Sequence, residues 1–73
     1  MKKTYNYSES KILKRIGNTI REGRIKKNIS MFELGRRSGI HQGTIKKIEA
    51  GITNPSIMVL EALTSKLKIN VSV

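Results

Sequence analysis

The sequence predicts an all-α bundle of four to five helices, and three observations predict it. Apolar residues recur at three- and four-residue spacing in four separate stretches, the pattern of helices that bury one face. Serine, glycine, asparagine or proline stands at the ends of each stretch, where helix caps and stops belong. The chain has 73 residues, 37% of them apolar and none of them cysteine, which predicts one small core without disulfide support.

Met1 to Tyr7 is polar, with two tyrosines and no apolar period, and reads as an N-terminal arm, residues 1–7. Ile12, Leu13, Ile16 and Ile20 then predict the inner face of a first helix, capped by Ser8 and running through Lys27, with Asn28 suited to a left-handed stop. Gly17 and Gly23 within it mark either close packing or tolerated surface positions. Ser30-Met31-Phe32-Glu33 has the form of a capping box, hydroxyl and carboxylate each satisfying donors of the first turn. The second helix turns Leu34 inward and stops near Ser38, where Gly39 supplies a positive backbone angle and Ile40 returns to the core.

His41 or Gln42 opens the third helix. Its inward Ile45 and Ile48 leave Gln42, Gly43, Lys46, Lys47 and Ala50 on the opposite stripe, and Gly51 ends it. Asn54-Pro55-Ser56 disfavours helix before the proline and starts a fourth after it, with Ile57, Leu60, Leu63, Thr64 and Leu67 inward. From Lys68 to Val73 polar and apolar residues alternate, as in a half-buried strand. Such a strand needs a partner: the Tyr5–Tyr7 arm, the same tail in a second subunit, or another protein. A frayed end or the stub of a fifth helix is the competing reading. The expected organisation is an arm at 1–7, a helical domain at 8–67 and a tail at 68–73.

Charge narrows the function. Lys and Arg number 15 against 5 acids, a net +10, and thirteen of the cations precede Ile48 with only Glu9, Glu22 and Glu33 among them. A concentration of that kind calls for a polyanion. Cations that merely solvated helix surfaces would be interleaved with acids at i to i+4 spacing. One His and no Cys leave neither a metal cluster nor a nucleophile paired with a base, so no enzyme and no cofactor is expected. Its longest apolar run, Ile57 to Leu60, is far short of the roughly 20 residues of a membrane span, which predicts a soluble, cytoplasmic chain without membrane partners.

Two short helices joined by a tight glycine-containing turn, the second with a polar, basic outer stripe, form a helix-turn-helix arrangement. Counted from Met31, apolar residues stand at the fourth, tenth, fifteenth and eighteenth places (Leu34, Ile40, Ile45, Ile48), with Gly35 at the fifth and Gly39 at the ninth. Gly35 is expected to let the third helix cross close over the second. The order Gly17-x-x-Ile20-Arg21-x-x-Arg24, Ser30-x-x-x-Leu34, Gly39-Ile40, Thr44-Ile45-x-x-Ile48-Glu49-x-Gly51 and Asn54-Pro55-Ser56 resembles the lambda-repressor-like, Cro/C1-type (XRE) helix-turn-helix regulators of bacteria and phages. The resemblance runs from about Gly17 to Ile69. It implies a four- or five-helix bundle, sequence-specific binding of double-stranded DNA, dimerisation on a palindromic operator and, usually, repression. It also implies a structural ion pair between Arg24 and Glu49 that orients the Arg near a phosphate.

A B-DNA major groove admits one helix, and the start of the third helix would reach base edges there. Gln42 can pair bidentately with adenine, Lys46 and Lys47 can donate to guanine or to phosphate, and Gly43 and Thr44 permit close approach, the Thr methyl facing thymine. Ser30 and the free amides of the second helix suit a phosphate, with Arg21, Arg24, Lys27, Arg36 and Arg37 adding diffuse cationic contacts. Met31 stands where the family commonly places a phosphate-binding Gln, His41 where Ser or Thr usually caps, and Gly43 where a base-reading side chain is common. A homodimer is expected, because so small a core gains from association. A strand after four helices is similar to the HipB-type antitoxins, which pair with a toxin; a phage repressor or the control protein of a restriction system fits the same class. The alternative is a protein-interaction module that keeps the bundle and has lost operator recognition.

Overall fold

The computed structural model describes residues 10–70, which form four helices: α1 (Lys11–Lys26), α2 (Met31–Ser38), α3 (Gln42–Ala50) and α4 (Ile57–Leu67). The expected arm at 1–7, Ser8 and the last three residues of the tail lie outside the described residues. Side chains open every helix. Ser10, Ser30 and Ser56 hydroxyls accept from the amides of Leu13, Glu33 and Val59 at 3.0–3.1 Å, each satisfying a donor that the first turn leaves unpaired. Ser10, not Ser8, is therefore the cap of α1, placed by Leu13 three residues on, the first inward residue.

The helix ends share one device. Asn28, Gly51 and Lys68 all adopt positive φ (59°, 73° and 56°). The isoleucine after each donates its amide to a carbonyl five residues back: Ile29 to Arg24, Ile52 to Lys47 and Ile69 to Thr64, at 3.1–3.2 Å. These are Schellman closures, and Ile29 and Ile69 also pack against the core. Gly39, at φ 77°, ends α2 with a single bond from its amide to the Gly35 carbonyl.

The described part of the tail closes the last helix. Lys68 is the left-handed cap of α4 and Ile69 its sealing residue, so no strand occurs among the described residues. The alternation at Lys68-Ile69-Asn70 reflects a helix stop that throws one isoleucine inward.

Ile20, Leu34, Ile45, Ile48, Leu63 and Leu67 make the core, one or two from each helix. α1 packs on α3 and α4, and α2 packs on the same two. Two residues assigned to inner faces are not there: Ile12 is 54% exposed and Ile57 83%. Both line a groove between α1 and α4 that is open to solvent, beside the buried Leu13 and the half-buried Leu60.

Backbones come closest at two glycines. A methyl group on Gly17 would collide with the Ile48 carbonyl oxygen and lie 2.9 Å from that of Glu49, so α1 and α3 touch main chain to main chain. At Gly35 a methyl would stand 2.7 Å from the Ile40 carbonyl. Gly35 thus makes room for the turn and for the start of α3, whose Gln42 amide nitrogen and Ile45 side chain would stand 3.5 and 3.6 Å from the added methyl, and Gly17 adds a second close approach, of α1 on α3.

Candidate nucleic-acid interface

Ile45 and Ile48 are fully buried against α1, α2 and α4 residues, and that anchors the back of α3. Its opposite side is open: Gln42, Thr44, Lys46, Lys47 and Ala50 are all exposed, with Gly43 half-buried. His41 caps the helix, its Nδ1 accepting from the Gly43 amide at 3.0 Å. An accepting Nδ1 leaves the ring proton on Nε2, so His41 presents a donor of its own.

A second anchor is electrostatic. Arg24 Nε and Nη2 donate to Glu49 Oε2 and Oε1 at 2.8 and 3.0 Å, and Nη1 donates to the Ile29 carbonyl at 3.0 Å. The two side chains are only 12% and 4% exposed. One guanidinium therefore joins α1, the α1–α2 link and α3. Hydrogen bonding to Glu49 raises the Arg24 pKa further above its ordinary value, against the smaller opposing effect of burial, and the charge is permanent.

At the start of α2 the cap differs from the expected box. Ser30 contributes its half, but the Glu33 carboxylate reaches forward, accepting from Arg36 Nε and Nη2 at 3.1 and 2.6 Å and from Arg37 Nε at 2.7 Å. Two cations at i+3 and i+4 outcompete one backbone amide for a carboxylate. Those bonds, Arg36 first and Arg37 next, pull the Glu33 pKa down to about 2. Arg36 and Arg37 stay exposed, as do Arg21 and Lys27 on and just beyond α1.

A shallow groove gathers part of this set. Phe32, Gly35, Arg36, Gly39, Ile40, His41 and Gln42 line it. Arg21, Arg24 and Lys27 do not belong to it. Another groove brings Lys11, Lys14 and Arg15 of α1 beside Ala50 at the end of α3. Neither Phe32 and His41 nor this α1 cluster was among the expected contact residues. The signals were present: Phe32 and Arg36 are one helical turn apart, and Lys11, Lys14 and Arg15 follow i, i+3, i+4 spacing.

A helix with a locked back and an open polar front, carried on a tight turn, defines a helix-turn-helix DNA-binding protein. The Helix-turn-helix family, lambda-repressor-like and of XRE type, matches residues 20–73, and the chain belongs to it. No match is found among curated proteins. Solved structures that it resembles include the restriction-modification controller protein C.AhdI from Aeromonas hydrophila, with 29% identity and TM-score 0.75 over 80% of this chain and 88% of that one. Another is the controller protein C.Esp1396I, a tetramer in complex with its natural 35-base-pair operator, with 26% identity and TM-score 0.79 over 85% of this chain and 82% of that one. A variant of C.Esp1396I bound to its highest-affinity operator site has 26% identity and TM-score 0.77 over the same shares. The chain is a DNA-binding transcription regulator of this class. No helix among the described residues is long and apolar enough to cross a membrane.

Proposed function

We propose that the chain is a repressor that binds a two-fold operator as a homodimer, with α3 in the major groove. The observation that carries this is the exposure of Gln42, Thr44, Lys46 and Lys47 on a helix whose Ile45, Ile48 and Glu49 are fixed from behind. Gln42 takes an adenine, Lys46 and Lys47 take guanine acceptors or phosphate, and Thr44 and Gly43 let the helix seat closely. Ser30 with the α2 amides, and Arg21, Arg24, Lys27, Arg36 and Arg37, hold the phosphates on either side. Arg24 does so with the donors left over from Glu49 and Ile29. Lys11, Lys14 and Arg15 extend the same positive field.

Support for a second copy comes from an apolar face away from α3. Ile12, Ile57, Leu60 and Ile69 line one groove between α1 and α4, and Met58 beside it is 74% exposed. Residues 48–73 carry two cations and two acids, so two strongly basic chains meet there with the least repulsion. Likeness to operator-bound controllers favours control of a restriction locus over the role of an antitoxin with a toxin partner.

Selection of bound duplexes from a random pool, with a mass measurement of the free protein, tests the reading. A symmetric consensus and a dimer mass are expected. With about five phosphates neutralised per subunit, the dimer's log-log salt slope is near −9. A monomer that enriches no duplex is the outcome of the alternative, an interaction module without an operator.

A further inference from the structure

The groove beside Gln42 contains a large apolar side chain to which the phosphate and base contacts above give no role. Phe32, the second residue of α2, is 64% exposed. Its shallow groove is lined by Gly35, Gly39 and Ile40 together with Arg36, His41 and Gln42. An apolar slot flanked by a base-reading amide and a cation fits the edge of a nucleotide better than a protein surface, which would have to bury Arg36 and Gln42 along with the ring. Of the base edges in the major groove, only thymine offers an apolar group, its C5-methyl. An adenine held by Gln42 brings that methyl with it on the opposite strand of the same pair.

We infer that Phe32 is a specificity-determining residue: its ring packs on the C5-methyl of a thymine in, or next to, the base pair that Gln42 engages. The inference rests on the operator reading and adds a contact from α2, where α3 alone supplied base recognition. It also gives the exposed, apolar Phe32 a function beside Arg36.

Replacement of single thymines in the selected operator by deoxyuridine removes one methyl and nothing else. The wild-type protein is expected to bind about fourfold more weakly per half-site at one such position, the worth of one buried methyl-sized group. Phe32→Ala should bind the thymine operator more weakly and lose that sensitivity, and Phe32→Leu should retain part of it. Because the ring is exposed, the melting temperature and helicity of both variants should match the wild type. Equal sensitivity to deoxyuridine in wild type and Phe32→Ala would overturn the inference, as would a uniform loss on every duplex, which would place the ring on sugar or phosphate. Failure of the wild-type protein to select any duplex would instead sink the operator reading, and this contact with it.

Discussion

Two glutamates divide the labour of this small protein. Glu49 and Glu33 each grip an arginine with both oxygens, at nearly equal distances. Glu49 does so at 4% side-chain exposure, from the back of α3, while the Glu33 side chain is 25% exposed and its partners Arg36 and Arg37 lie in solvent. Burial decides what the same chemistry accomplishes. The inner pair cannot be opened without stranding a charge away from water, so it sets the attitude of α3. The outer cluster exchanges readily with water and counterions, and it keeps two cations on the open surface.

The sharpest way to break that contrast is Arg24→Ala. It leaves Glu49 buried and alone, and a loss of about 3 kcal/mol in folding stability is expected from denaturant melts. An unchanged midpoint would mean that the inner pair is no more structural than the outer one. Next comes the outer stripe of α3. Gln42→Ala and Lys47→Ala should each cost about 1–3 kcal/mol at a particular base and alter which operators are chosen, whereas Arg36→Ala weakens all duplexes alike. Binding to a panel of single-base operator variants separates these patterns, and uniform losses in all three mutants would show the reading face to be misplaced.

Lys68→Gly probes neither pair and calibrates both. Removing a side chain from a left-handed position should raise stability by about 1 kcal/mol and leave DNA affinity alone. The smallest effect belongs to Glu33→Gln, which releases Arg36 and Arg37. Affinity should rise a few-fold at low salt, and the gain should vanish near 0.5 M salt as exposed charges are screened. Its pH dependence has a definite sign. With the carboxyl pKa lowered from 4.5 to about 2, Glu33 contributes its stability in full above pH 4.5 and loses it as pH falls toward 2. Melts of wild type and Glu33→Gln should therefore converge across that interval.

Much of this architecture is legible in the sequence because local rules and tertiary packing agree. Helices α2 and α3, with Leu34, Ile45 and Ile48 inward and Gly39 and Gly51 at their ends, follow from spacing and from glycine's freedom at positive φ. Misreadings arise where two local rules compete. Glu33 satisfies both a capping box and two i+3, i+4 cation pairs, and only coordinates say which takes the carboxylate. Lys68-Ile69-Asn70 alternates like a strand because a helix stop and a strand share a two-residue signature. Ile12 and Ile57 carry the helical period but line an open groove between α1 and α4. As for the site, the exposed stripe on α3 is readable from periodicity, whereas the gathering of Phe32, Arg36 and His41 around Gln42 depends on how the turn folds back.

The contact at Gly17 has a consequence for how such a protein can change. With bare main chain pressed on bare main chain, part of what holds α3 in place involves no side chain on its outward face. Mutations on the outward side of α3 can therefore accumulate without tilting the helix that displays them. On the proposed reading, new operators become reachable by rewriting a few letters on a frame that keeps its shape, and one small fold can serve many promoters.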